Sequence, residues 1–173
     1  MGAADADRTA RRRTVVAWTF VAVQAILLVG IVAAPRDKAW QVNEPIRVAG
    51  LGMLLVGTAI GLWAAARLGR GFTPSPLPSG AIELVTRGPY RWVRHPMYTA
   101  VMLLATGIAI RAGSVAVAAQ TIALVVLFNV KARWEERQLA TTFPGYLAYQ
   151  ASTPRFVPGT TQRPGLLHRR AES

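Results

Sequence analysis

Two long runs without a charged side chain constrain this sequence more than anything else in it. Residues 14–34 are uncharged from Thr14 to Ala34 and stop at Pro35, and residues 48–66 are uncharged from Val48 to Ala66. At about 1.5 Å of rise per residue, the first run covers roughly 30 Å as a helix, the thickness of a bilayer's hydrocarbon core. Arg11-Arg12-Arg13 precede it. A secretory leader also begins with positive charge, but its apolar core is shorter. The first run therefore reads as a retained span, with Val32-Ala33-Ala34 as the one small-residue stretch that fits a cleavage site. In the second run Gly57 and Gly61 stand four apart on one helical face, which fits either close approach of another helix within lipid or the general frequency of glycine in membrane helices.

Composition excludes several chemistries. The 173 residues hold no cysteine, which removes disulfides, thiolate metal sites and thiol nucleophiles. With only His95 and His168 available, no multi-histidine metal site is expected. A net charge of +12 invites a nucleic-acid reading, yet the basic residues gather at the ends of uncharged runs and no binding motif is present. Lysine and arginine placed there meet lipid headgroups, so membrane lipids and not nucleic acid are the expected partners.

Gly69, Gly71, Pro74, Pro76, Pro78 and Gly80 forbid a continuous helix between Arg67 and Arg94, and loops this long usually have a task. Two shorter apolar stretches follow, 98–110 and 115–130, divided by Arg111-Ala112-Gly113-Ser114. Together they predict a tight helical hairpin, each arm tilted or extended by its flanks. Residues 131–150 alternate charged and aromatic side chains and predict an amphipathic surface helix, and the proline-rich tail from Ser152 reads as loose beyond about residue 158. The expected fold is all-α: a single domain built as a membrane bundle of about four helices, with residues 1–66 forming a tail and two spans and residues 67–173 carrying the site.

Orientation follows from the positive residues. Segments 1–13, 67–94 and 131–173 carry 16 of the 20 lysines and arginines. Positive residues favour the cytoplasmic side, which puts both termini there and brings the 67–94 loop and the segment after residue 131 to one face. For a bacterial chain the membrane is the cytoplasmic one.

Those two segments hold the chemistry. Residues 88–98, Gly-Pro-Tyr-Arg-Trp-Val-Arg-His-Pro-Met-Tyr, crowd aromatics, two arginines and a histidine against an apolar run. Pro96 predicts a helix starting after His95, and free amides, the positive helix end, Arg91 and Arg94 would together favour an anion. Arginines snorkelling to lipid phosphates beside an interfacial belt of Tyr90, Trp92 and Tyr98 account for the same residues. Glu135 and Glu136 are two of only eight acids. They fit either a surface helix paired with Lys131, Arg133 and Arg137, or one carboxylate turned inward onto a cationic or hydroxyl-bearing ligand.

Taken together, Gly-Pro-Tyr-x-x-x-Arg-His-Pro-x-Tyr, a hairpin, Glu-Glu-x-x-Leu, Phe143, Tyr146, Tyr149 and Pro154-Arg155-Phe156 resemble the isoprenylcysteine carboxyl methyltransferase family and the related membrane phospholipid N-methyltransferases. The resemblance covers about residues 80–158. It implies an integral membrane enzyme that uses S-adenosylmethionine on a lipophilic or lipid acceptor. Carried over by position, the cofactor contacts are Ile82, Glu83, Leu84, Val85, Tyr90, His95, Pro96, Met97, Tyr98 and Glu135, with Glu136 beside them. Arg94, His95, Lys131 and Arg133 are the candidates for catalysis. The family's substrate-contacting arginine falls on Lys131, which keeps the charge without the bidentate geometry, and Arg133 is the nearby substitute. Glu135 would hold the cofactor's ammonium or ribose hydroxyls, Arg94 its carboxylate, and Tyr90 or Tyr98 its adenine or sulfonium. His95 or Glu136 would serve as base for an amine acceptor. A catalytically silent relative, a membrane reductase with a nicotinamide cofactor and a small transporter share parts of the pattern. The first lacks its expected loss of His-Pro or Glu-Glu, the second needs more phosphate-binding groups, and the third needs ionisable residues inside the spans.

Overall fold

The computed structural model describes residues 3–69 and 84–159. Helix α1 runs Ala3–Ala33, α2 Glu44–Leu68, α3 Pro96–Ala112, α4 Val115–Thr142 and α5 Tyr146–Ser152, with a 3-10 turn at Gly88–Arg91. No strand occurs among the described residues. Asp7–Ala33, Glu44–Leu68 and Val115–Thr142 are long and apolar enough to cross a membrane; α3, with 17 residues, is shorter. Their outer faces agree with a lipid environment: Ile26, Val32, Leu62 and Ile122 are each 65–70% exposed. Such a surface on every long helix suits hydrocarbon, not water.

The hairpin closes as its turn residues require. Gly113 takes the left-handed conformation after α3 (φ 63°), and a β-carbon there would approach the Trp40 carbonyl to 2.9 Å. Ser114 then caps α4, accepting from the Val117 amide at 3.5 Å and donating to the Pro35 carbonyl at 2.8 Å. That last bond sets the start of α4 level with the end of α1.

Small residues set the α2–α3 contact. A β-carbon on Gly57 would lie 2.9 Å from the Ala100 carbonyl, one on Gly107 2.7 Å from the Gly50 carbonyl, and one on Gly61 3.4 Å from the Ala100 side chain. The Gly57/Gly61 face does carry the close approach, and Gly50 extends it by two turns. Between α1, α3 and α4 the core is conventional, with Ile31, Ala105, Val117, Leu124 and Phe128 buried together.

One expectation is corrected. The helix expected to lie on the surface over 131–150 is no separate element; α4 continues unbroken to Thr142 and buries Lys131, Ala132, Glu135 and Glu136. Lys-Ala-Arg-Trp-Glu-Glu-Arg-Gln-Leu-Ala contains only residues compatible with a helix interior and no Gly or Pro. The charges mark where the apolar run ends, not where the helix does. Only Pro144-Gly145 breaks it, and α5 follows.

Gly57→Val should destabilise the protein in detergent by about 1–3 kcal/mol, read as a lowered unfolding midpoint, because the added atoms meet backbone that cannot yield. Gly52→Ala, with nothing within 4 Å of its β-carbon, should leave the midpoint unchanged or raise it.

Candidate active site

The site forms where the start of α3, the second half of α4 and the segment after α5 converge. His95 is the residue before α3 and Pro96 its first, as the missing proline N–H requires. Upstream, Tyr90 is buried within the 3-10 turn, and its carbonyl accepts from the Tyr149 hydroxyl at 2.5 Å. Burial, and then the charge of Glu135, push the Tyr90 phenol up to about 12, so it stays a neutral donor at any physiological pH.

Adjacent carboxylates on α4 face different partners. Glu136 is the centre of a charge lock. Its Oε1 accepts from Arg94 Nε at 3.1 Å, Arg94 Nη2 at 3.0 Å and Arg155 Nε at 2.9 Å, and its Oε2 accepts from Arg155 Nη2 at 2.5 Å. His95 Nε2 lies 3.2 Å from the same Oε1. Arg94 also donates through Nη1 to the Gln150 carbonyl at 2.9 Å and to the Thr153 carbonyl. Backbone bonds complete the clasp: the Arg94 and His95 amides donate to the Pro154 and Arg155 carbonyls, and the Thr99 hydroxyl to that of Phe156. The segment 153–156 is thereby strapped across the start of α3.

Glu135 has no arginine. Its Oε1 accepts from the Tyr98 hydroxyl at 2.5 Å and its Oε2 lies 3.5 Å from His95 Nδ1. The imidazole thus spans both carboxylates. Tyr98 stacks nearly parallel on Phe128, with ring centroids 4.5 Å apart, and on His95 at 5.3 Å. The Lys131 ammonium sits 5.2 Å from the centre of the Tyr98 ring and donates to Gln24 Oε1 of α1 at 2.9 Å.

Against the sequence expectations, the structure gathers Tyr90, His95, Pro96, Tyr98, Lys131, Glu135 and Glu136 into one buried or half-buried cluster. Met97 lies half-buried in the first turn of α3, and Leu84 and Val85 are half-buried upstream of the 3-10 turn. Ile82 and Glu83 lie outside the described residues. Four roles are corrected. Arg133 is exposed on α4, since two residues along a helix turn a side chain some 200° away from Lys131, and it does not reach the cluster. Arg94 is consumed by Glu136 and two carbonyls, so it is a clamp and not an open anion site. Glu136, held by two guanidiniums and an imidazole, cannot act as a base. Tyr98, committed to two protein rings and Glu135, is not an open stacking face.

Arg155 and Phe156 enter the resemblance without a role, and Gln24 is a polar residue of the first span with no place in the expected site. Arg155 sits in the Pro-Arg-Phe triplet, and its signal was a lone arginine beside two prolines. Phe156 packs on His95, with centroids 5.9 Å apart, and borders a groove of about 170 Å³ along α3 with Thr99, Met102, Leu103 and Thr106.

A helical bundle with apolar outer faces, enclosing paired charges at one end, is an integral membrane protein with a built site. The chain belongs to the phospholipid methyltransferase family, which it matches over residues 46–145. It is 38% identical over 76 residues to the cobalt-zinc-cadmium resistance protein CzcN of Cupriavidus metallidurans, covering 43% of this chain and 35% of that protein. It is 28% identical over 140 residues to the nickel-cobalt-cadmium resistance protein NccN of Alcaligenes xylosoxydans xylosoxydans, covering 79% of this chain and 61% of that one. The fold is similar to that of the eukaryotic intramembrane Ras methyltransferase, isoprenylcysteine carboxyl methyltransferase, with a TM-score of 0.61 at 22% identity over 88% of this chain and 53% of that one. The chain therefore spans less than two thirds of the length of each of these proteins.

Glu136→Ala should cost about 3 kcal/mol or more, because it leaves the buried Arg94 guanidinium, 7% exposed, without its counter-charge. Arg155→Ala should cost less than half as much, since Arg155 is 26% exposed and solvent screens its pair. Unfolding midpoints in detergent, compared side by side, test the order.

Proposed function

We propose that this chain is an S-adenosylmethionine-dependent membrane methyltransferase whose acceptor is a lipophilic or membrane-embedded small molecule. The observation that carries the reading is Glu135: a buried carboxylate, bound by a phenol and an imidazole and left without an arginine, in a chain of the phospholipid methyltransferase family. Such a carboxylate suits a cation or a hydroxyl-bearing ligand, and S-adenosylmethionine offers an ammonium, a sulfonium and ribose hydroxyls. Its carboxylate suits the Met97 and Tyr98 amides at the positive end of α3, for which no acceptor is found among the described residues. This replaces the role first expected of Arg94. Ile82 to Val85 complete the proposed contacts.

When bound, the cofactor supplies an activated methyl group on a sulfonium, so no covalent nucleophile is required. The chain's own residues orient and desolvate: the 153–156 strap closes one side, and the Phe128, Tyr98 and His95 rings fill the floor. The groove beside Phe156 supports an acceptor with an apolar tail. The names of the two curated relatives concern metal resistance, and no group of three or more His, Asp or Glu forms among the described residues of this chain.

Calorimetry in detergent with S-adenosylmethionine, S-adenosylhomocysteine and NADPH tests the reading. The first two should bind, Glu135→Gln should weaken them at least tenfold, and Arg133→Ala should change them less than twofold. Binding of NADPH alone would replace this proposal with a nicotinamide-dependent reductase.

The distribution of lysine and arginine supports a site on the cytoplasmic leaflet. Single cysteines are informative because the chain has none. Arg137→Cys should be labelled by an impermeant maleimide only in inside-out vesicles, and Lys38→Cys only in right-side-out ones. The reverse pattern overturns the orientation.

A further inference from the structure

Lysines near the end of a membrane helix ordinarily extend toward the closer headgroups. Lys131 does the opposite. Pro35 and Ser114 are joined by a hydrogen bond, so distances along antiparallel α1 and α4 are measured from one level. Gln24 lies roughly 16 Å along α1 from there, and Lys131 roughly 25 Å along α4. Side chains lean toward the N-terminus of their own helix, so the two lean toward each other and close that gap. Lys131 is therefore drawn inward, 3% exposed as a residue, with its ammonium bonded to Gln24 Oε1 and set over the Tyr98 ring.

An inward-facing cation in a bilayer is costly and marks a site. Gln24 and the ring face both stabilise the charged form, and Gln24 takes one of its three N–H donors. Glu135 is the nearest charge of opposite sign on α4, one turn away, but it is engaged by Tyr98 and His95 and makes no ion pair with Lys131. The other Lys131 donors, beside the Tyr98 ring, have no hydrogen-bond acceptor among the described residues.

We infer that Gln24 is a positioning residue: it holds the Lys131 ammonium inward so that its other donors receive an anionic oxygen of the acceptor, and the first helix thereby sets acceptor selectivity by charge. This rests on the proposed methyl-transfer reading, with Glu135 facing the donor and Lys131 the acceptor. Neither the family match, which begins at residue 46, nor the two patches first singled out in the sequence includes Gln24.

A matched pair of amphiphiles provides the test. Oleate and oleylamine share a chain and differ in the sign of the headgroup. With the full chain in neutral detergent saturated with S-adenosylhomocysteine, calorimetry should give at least a tenfold preference for oleate. Gln24→Glu, which keeps a partner for Lys131 but neutralises its charge, should bring that preference below twofold while leaving the unfolding midpoint within about two degrees. Lys131→Met should abolish the preference. Rescue should appear in Gln24→Asn only in part, since its amide is one methylene short. Equal binding of the two amphiphiles by the unaltered chain overturns the inference. So does a preference that survives Gln24→Glu, which would make Gln24 a helix–helix contact and nothing more. Failure of S-adenosylhomocysteine to bind, with the oleate preference intact, would instead remove the methyl-donor reading.

Discussion

The charge lock at Glu136 is the contact on which the rest of this structure depends. One carboxylate on α4 gathers Arg94 and His95 from the start of α3 and Arg155 from the segment beyond α5. Three stretches distant in sequence are held at one point, and each brings a part of the site with it. In a protein whose helices are apolar on every outer side, hydrophobic burial cannot specify how the helices meet, because lipid is as apolar as their neighbours. Direction must come from backbone approach and from buried polar contacts. Small residues supply the first between α2 and α3; the lock supplies the second at the working end.

Much of this was legible in the sequence, for reasons that hold residue by residue. The spans follow from uncharged length, the hairpin from Gly113-Ser114, the start of α3 from His95-Pro96, and the Gly57/Gly61 contact from its spacing. The pairing of the His-Pro and Glu-Glu segments came from their distribution of charge. What stayed hidden was which partner each charge would choose. Glu135 and Glu136 are identical side chains at consecutive positions, yet about 100° of helical rotation sends one to two arginines and the other to a tyrosine. Arg94 looked like an anion site because its counter-charge lies 42 residues away. Lys131 and Glu135 read as a surface pair four apart because the pattern does not record that α4 is buried along that side.

The role of Gln24 was hidden for a different reason. A single glutamine within an apolar helix carries no periodic signal, and its meaning depends wholly on what α4 presents at the same depth. Three contacts fix that register: Gly30, whose lack of a side chain leaves room for Gln120; Gln24 on Lys131; and Phe20 beside Trp134, with ring centroids 6.0 Å apart. Together they make α1 a wall of the site and not merely its anchor.

These contacts divide the buried end of the bundle by sign. On one side stand Glu135, His95 and the phenols of Tyr98 and Tyr90; on the other stands the lone ammonium of Lys131, within one helical turn. A methyl donor is a cation and the inferred acceptor an anion, so transfer between them removes charge on both. Reactions that annihilate charge gain from a low dielectric, where the separated reactants are poorly solvated and the transition state less so. The buried cluster around Glu135 and Lys131 would provide that medium. On the proposed reading, the protein must admit two opposite charges to it without letting its own groups neutralise one another first. Tying Glu135 to Tyr98 and Lys131 to Gln24, in place of a direct ion pair between the two, keeps both available.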